Sequence, residues 1–545
     1  MKKASSIKKP THVWLAVLII LALFATMAAV HAEIPANPNY KGSEYCLGCH
    51  SDKTAQRQSS HAKSWQTADN SSVVAAWPSV GKTHTLDFTT YAEGSTTPDA
   101  SITLMHPSTD VYQVKIGEKT YNVARTYGGL NNWKQRYMTK DVDDTYRDDN
   151  YYILPFQYNQ DPNTDTPRWQ PYHNKQDWYT PSRTVEKNCA GCHNTGLNIT
   201  FNEQGYVTDY NFTEMNIGCE KCHGYLGIEV PDAVTMPILS QKIVNPAKLP
   251  SKDRANEVCG QCHMRGKSVP DNIFGYPWND TTNSGFLPGE NLSEYYEDHG
   301  GYYKDANGSV IASQKHHQQW SDFQTSVHYQ NPNDIESAPS ECFNCHNPHN
   351  LEFETEKGTY NETQVENNEL CLGCHEPYPP FNNNTTHFTD KYTAMSGIEC
   401  TKCHMTKTSK SAAWNTITGT PQGDLKQGDI HSHRFNPIEP KYSGDNSNPT
   451  GLVNSCNQAG CHTDKTQFDY DEIADYIKGV APPPVPGDIN GNGNVDMDDA
   501  ILVAQMVIGK YPADVEKADF NENGRVDIGD ASKIAFYVVG KIPSL

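Results

Sequence analysis

Seven stretches of the sequence read C-x-x-C-H. In chain order, and numbered here as motifs 1 to 7, they are Cys46, Cys49 and His50; Cys189, Cys192 and His193; Cys219, Cys222 and His223; Cys259, Cys262 and His263; Cys342, Cys345 and His346; Cys371, Cys374 and His375; and Cys400, Cys403 and His404. Motif 8, CNQAGCH, stretches the spacing to four residues with Cys456, Cys461 and His462. Together the eight motifs use all 16 cysteines, so none is left for a disulfide. A lone CxxC fits a zinc knuckle or a thioredoxin-like dithiol, but neither needs a histidine directly after the second cysteine. Two thiols at this spacing can add across the two vinyl groups of one porphyrin, and the adjoining imidazole then meets the iron. The expected chemistry is covalent attachment of eight c-type haems, with the eight motif histidines as proximal ligands.

Positioning eight porphyrins sets the rest of the chain. Only 36% of the 545 residues are hydrophobic, and the porphyrin faces are expected to supply the apolar area that side chains do not. Residues 1–32 read as a secretory signal: Lys2, Lys3, Lys8 and Lys9 precede an apolar run from Val13 to Val30, and a small-residue end favours cleavage after Ala32. An uncleaved anchor is the alternative, because the run approaches spanning length. Export agrees with haem attachment, which needs reduced thiols outside the cytoplasm. The net charge of -21 argues against nucleic-acid binding and would steer basic partners to the surface.

Residues 33–480 form the expected haem domain, with a cysteine-free insertion at 66–185. There THTLDFTTY, ASITLMH and VYQVKIG alternate as strands of a small antiparallel β element. The remainder is expected to be mostly irregular, with short α-helices presenting each motif. APPPVPG at 481–487 is a stiff linker. Beyond it, residues 488–545 hold a unit duplicated at an offset of 31 residues. Its first loop offers Asp488, Asn490, Asn492, the carbonyl of Asn494, Asp496 and Asp499; its second offers Asp519, Asn521, Asn523, the carbonyl of Arg525, Asp527 and Asp530. These occupy positions 1, 3, 5, 7, 9 and 12 of a calcium loop, with Gly493 and Gly524 at the turn, and each loop runs into an apolar helix. Two calcium ions are expected.

The duplicated loop-helix unit resembles a dockerin domain. That resemblance implies docking into a cohesin-type receptor on a surface scaffold; the alternative is a calcium-stapled cap. The haem region resembles the multihaem c-type cytochromes related to nitrite reductase and hydroxylamine oxidoreductase, in particular the branch often fused to TPR repeats. The likeness rests on YKGSEYCLGCH followed by SSHA, CAGCHNTGL, GCEKCHG, VCGQCHMRGKS, FLPGENLSEYY, SVHY before CFNCHNPH, ECTKCHM and DIHSHRF. It implies closely packed haem pairs through which electrons hop.

What fills the sixth position of each iron then decides function. Twelve of the 22 histidines remain after the signal region and the proximal set are removed, enough to close all eight irons. The resemblance marks His61, His328, His349 and His433 as distal ligands. His173, His316, His317 and His387 follow as loop residues near motifs. His84 and His106 in the β stretch are read as packing or surface residues, and Met264 and Met405 as packing beside the proximal ligands.

Two classes of function follow. The favoured one is an electron carrier at or outside the cell surface, exchanging electrons with redox proteins and open to self-assembly into a chain or filament. The alternative is an oxidoreductase acting on hydroxylamine, nitrite or tetrathionate at one five-coordinate haem. Several enzymes of the resembled group carry a lysine as proximal ligand; every motif here ends in histidine, which weighs toward the carrier. If the C-terminal loops bind metal, chelating calcium will abolish the protection of residues 488–541 in limited proteolysis, and added calcium will restore it.

Overall fold

A computed structural model describes residues 36–543 apart from 87, 89–100, 131–133, 141, 143–149, 161–167, 173–177, 227–242, 332–338, 351–352, 356–357, 367, 376–398, 412–414, 421–422, 440–441, 444–450, 459–486 and 490–494. The signal segment, the proline linker, Cys461 and His462, the distal candidates His173 and His387, and Asn490, Asn492 and Asn494 lie outside the described residues.

A spacing of i, i+3 and i+4 puts both cysteines and the histidine of a motif on one face of a helix. The chain uses this directly. Motifs 2, 3, 4, 6 and 7 each end a short helix on their histidine: Ala190–His193, Cys219–His223, Lys252–His263, Glu369–His375 and Cys400–His404. Motifs 1 and 5 sit on Ser43–Leu47 and the 3₁₀ turn Cys342–Asn344. Where the helix stops early, the turn still closes, because the amides of His50 and His346 donate to the carbonyls of Cys46 and Cys342 at 3.0 and 3.1 Å. No cysteine among the described residues is in a disulfide.

The insertion is larger than the sequence suggested. Strands β1 (Trp65–Thr67), β2 (Thr83–Leu86), β3 (Ile102–Ser108), β4 (Val111–Ile116), β5 (Lys119–Asn122), β6 (Arg125–Gly128), β7 (Gln135–Thr139), β8 (Tyr152–Tyr158) and β9 (Trp169–Pro171) form two antiparallel sheets. Their orders are β1-β6-β7-β8-β9 and β2-β3-β4-β5. Leu104, Val114, Tyr137, Leu154 and Phe156 are fully buried in the core they share. Every residue of β8 is buried, so its pattern is continuous rather than alternating, as a strand covered on both faces requires.

The expectation of little regular structure between the motifs is corrected. Hairpins pair Asn198–Phe201 with Val207–Asn211, Tyr302–Lys304 with Val310–Ser313, and Asn415–Thr420 with Gly423–Gln427. Their turn chemistry is local: Gly308 of the Asn307-Gly308 pair takes φ 84°, the left-handed region a tight turn demands. Such pairing satisfies backbone groups that loops around an apolar prosthetic group would leave without partners.

In the C-terminal unit, helices Met497–Val507 and Ile528–Val538 pack through Ala500, Val503, Ala531 and Ile534. No helix among the described residues is long and apolar enough to cross a membrane.

One close approach makes the fold testable at motif 2. A Cβ on Gly191 would lie 2.0 Å from the ring of Tyr276, which is fully buried and has no room to move. The Gly191→Ala protein is expected to lose about 1–3 kcal/mol, read as a lowered melting temperature of the holoprotein.

Candidate functional site: paired histidines and the motif network

About 2 Å of metal–nitrogen bond on each side, and roughly 1 Å from each nitrogen to its ring centre, put the centroids of two axial imidazoles about 6 Å apart. Four histidine pairs have this spacing. His61 faces His263 of motif 4 at 6.1 Å, and His349 faces His223 of motif 3 at 5.9 Å. His433 faces His346 of motif 5 at 6.2 Å, and His328 faces His375 of motif 6 at 6.0 Å. Each pair joins a motif histidine to one of the four leading distal candidates. In every case the second ring comes from a stretch of chain beside a different motif.

The hydrogen bonds fit the same chemistry. Iron binds the unprotonated ring nitrogen, and an acceptor at the other nitrogen selects that tautomer. Nδ1 of His223 lies 2.9 Å from the Val244 carbonyl, Nδ1 of His263 3.1 Å from Gln319 Oε1, and Nδ1 of His404 3.2 Å from the Phe435 carbonyl. Nδ1 of His433 lies 3.1 Å from the His431 carbonyl. These acceptors place the proton on Nδ1 and leave Nε2 for the metal. Burial pushes His61, His328 and His346 down to about 4 and His433 to about 3, so each presents a neutral, ligating ring. Tautomer, charge and spacing therefore suit haem iron.

The motifs also touch one another. Sulfurs of Cys46 and Cys219, Cys192 and Cys262, Cys259 and Cys342, and Cys371 and Cys400 lie within hydrogen-bonding reach, linking motifs 1 to 3, 2 to 4, 4 to 5 and 6 to 7. Backbone contacts reinforce the links. Lys221 Nζ donates to the Gly191 carbonyl at 2.5 Å and Gln261 Nε2 to the Lys221 carbonyl at 3.1 Å, while Cys192 Sγ lies 3.4 Å from the Gln261 carbonyl, knotting motifs 2, 3 and 4. Asn256 Oδ1 accepts from Cys342 N at 2.8 Å, and the Ser455 hydroxyl donates to the Cys403 carbonyl at 2.7 Å, tying motif 5 to 4 and motif 8 to 7.

Motif 2 differs. The ring contacts of His193 among the described residues are with Trp65, stacked at 5.2 Å, and Tyr127, edge-on at 4.9 Å, not with a second histidine. The Ser64 hydroxyl donates to Asn216 and lies 2.9 Å from His193 Nδ1, while the Tyr127 hydroxyl lies 3.1 Å from Nε2. His316 and His317 lie against each other with ring centroids 4.2 Å apart, and Arg265 reaches His316 Nε2 at 3.1 Å. His317 has φ 48°, a left-handed backbone that a histidine rarely adopts. Ser64, Tyr127 and Arg265 were not singled out from the sequence. Ser64 and Arg265 follow SSHA and VCGQCHM by a few residues, the one local signal that pointed to them.

The second C-terminal loop is mostly described. Its Asp519, Asn521, Asn523 and Asp527 turn inward: Asn523 Nδ2 donates to Asp527 Oδ2 at 2.9 Å, and Asp519 accepts from the amides of Asn523 and Gly524 at 3.0 and 2.7 Å. Gly524 takes φ 84° at the turn position. Asp499 and Asp530, at position 12, are fully buried and accept two backbone amides each. No group of three His, Cys, Asp or Glu side chains among the described residues gathers as a metal site. The oxygen-rich donor set with its amide and carbonyl members still fits a hard cation.

Fold and site define a multihaem c-type cytochrome with a C-terminal dockerin module. Residues 188–392, spanning motifs 2 to 6, match the cytochrome c552 family, and residues 486–538 match the dockerin type I domain. No curated protein matches the chain. The crystal structure of the outer cell wall cytochrome OcwA shares its fold at 20% identity, covering 92% of this chain and 99% of that one with a TM-score of 0.50. An undecahaem cytochrome from the S-layer of Carboxydothermus ferrireducens aligns at 16% identity over 97% of this chain and 73% of its own, with a TM-score of 0.39.

A buried carboxylate beside motif 2 yields a pH prediction. Glu186 is 2% exposed, accepts from Tyr151 N at 3.1 Å, and is pushed up to about 7 by burial. The folded state then holds this proton more tightly than the unfolded chain. Stability from this group is present below the ordinary carboxylate pKa and is lost as pH rises toward 7, by about 3 kcal/mol. Denaturant midpoints at pH 5 and pH 8 are expected to differ less in Glu186→Gln than in the parent.

Proposed function

We propose that the chain is an exported carrier that passes electrons along eight covalently attached haems outside the cytoplasm. The observation that carries this reading is the set of four facing histidine pairs at 5.9 to 6.2 Å. On this reading His61, His349, His433 and His328 are the distal ligands at motifs 4, 3, 5 and 6. Haem bound between two imidazoles supplies a one-electron centre with no open position for a substrate.

The chain's own residues do the rest. They keep His61, His328, His346 and His433 neutral, orient Nε2 of His223, His263 and His433, and bring motif to motif through sulfur contacts so that successive centres are neighbours. The described fold neighbour is an outer cell wall cytochrome, which supports a location beyond the membrane. The negative charge favours basic redox proteins as donors and acceptors, and self-assembly into a chain or filament remains part of this proposal.

The dockerin module would hold two calcium ions through the loop oxygens and tether the cytochrome to a cohesin-type receptor. Its helices leave Ile501 48%, Ile528 63% and Phe536 54% exposed, an apolar surface suited to a protein partner.

A second reading is favoured by motif 2 alone. His193 meets a tyrosine hydroxyl, with the paired His316 and His317 and Arg265 close by; Coulombic coupling of His317 to both His193 and Arg265 marks them as one cluster. An iron there with an open sixth position would bind a small nitrogen or sulfur compound, making the chain an oxidoreductase. The ferric holoprotein decides between the two. A carrier closed at every iron shows only low-spin haem and no spectral change with cyanide or nitrite. One high-spin haem that binds them and turns over hydroxylamine or nitrite overturns the carrier-only reading.

A further inference from the structure

Residues 431–435, His-Ser-His-Arg-Phe, reach three of the proposed iron sites at once. His433 faces His346 of motif 5 at 6.2 Å. The Phe435 carbonyl stands 3.2 Å from Nδ1 of His404, the motif 7 histidine. The Phe435 ring meets His328 edge-on at 4.5 Å, and His328 faces His375 of motif 6. To do all this Phe435 takes φ 59°, a left-handed backbone that a bulky residue adopts only when its surroundings hold it there.

One buried carboxylate anchors the segment to a neighbouring strand. Asp322, on the helix Gln319–Phe323, is 1% exposed. Its Oδ1 accepts from Ser313 N at 3.1 Å, and its Oδ2 accepts from the Ser313 hydroxyl at 2.8 Å and from His433 N at 3.2 Å. The Ser409 hydroxyl donates to the Ser313 carbonyl at 3.0 Å, which extends the anchorage to the stretch after motif 7. A buried carboxylate is costly unless its lone pairs are filled by well-placed donors. Here those donors belong to a strand and to the histidine-bearing segment, so the same charge that needs partners fixes their separation.

We propose that Asp322 is a positioning residue for the haem cluster: by accepting from the His433 amide it keeps the His433 ring on the motif 5 iron and the Phe435 carbonyl on the motif 7 histidine. This rests on the axial pairing proposed above. Removing the carboxylate leaves the His433 amide without its acceptor and lets the strained segment relax, withdrawing the ring from the iron.

The test uses the full-length holoprotein, with haem content per chain, ferric visible and EPR spectra, and cyanide titration as readouts. Asp322→Ala is expected to keep its full haem content and to gain one high-spin, cyanide-binding haem per chain, matching His433→Ala. Asp322→Asn, which keeps one oxygen for the His433 amide, is expected to return that haem to low spin. If Asp322→Ala yields no holoprotein, Asp322→Leu removes both acceptors at nearly the same volume and is expected to show the same new high-spin haem. An alanine or leucine variant that stays wholly low-spin while His433→Ala opens one haem overturns the positioning role, as does an opening that the asparagine variant does not reverse. If His433→Ala itself opens no haem, the axial pairing fails instead.

Discussion

Pairs of imidazoles from distant parts of the chain, facing each other with centroids 5.9 to 6.2 Å apart, are the interaction on which the haem region turns. Each pair sets a motif histidine against a histidine from another part of the chain, so the four pairs are long-range contacts. His61 reaches from beside motif 1 to motif 4, and His433 from between motifs 7 and 8 back to motif 5. Burial keeps His61, His328, His346 and His433 neutral, and acceptors at Nδ1 of His223, His263 and His433 select the tautomer.

The second organising constraint is crowding among the motifs. Sulfurs from four pairs of motifs lie against one another, and the knot of Gly191, Lys221, Gln261 and Cys192 draws three motifs to one point. Small residues are needed where a motif helix is crowded this closely, and Gly191 under the Tyr276 ring is one instance. The β insertion supports the same region from outside, since Trp65 of β1 stacks on His193 and Tyr127 of β6 reaches its Nε2. The cysteine-free insertion thus furnishes one wall of motif 2.

The C-terminal module is built on a different economy. Asp496 and Asp527 cap the two helices, and buried Asp499 and Asp530 complete reciprocal capping boxes. The position 12 aspartates therefore serve the helix start and the loop together. In the second loop the remaining oxygens are directed inward by hydrogen bonds among themselves, an arrangement a hard cation can take over.

Much of this was legible in the residues alone. CxxCH announces attachment and proximal ligation because the i, i+3, i+4 spacing is a local helical property, and the calcium loops are equally local. The four leading distal candidates could be ranked from their motifs, but not matched to an iron, because that match depends on contacts across up to a few hundred residues. The hairpins between motifs were underestimated, although Asn307-Gly308 carried a turn signal. Asp322 and Tyr127 had no signal of their own: an aspartate on a five-residue helix looks ordinary until burial and a distant backbone amide give it a role. The sequence by itself determined which groups are equipped for the chemistry, since local spacing suffices for that. Only the tertiary structure decided which groups face each other, because the distance and tautomer that make two histidines a pair exist only once the chain has folded.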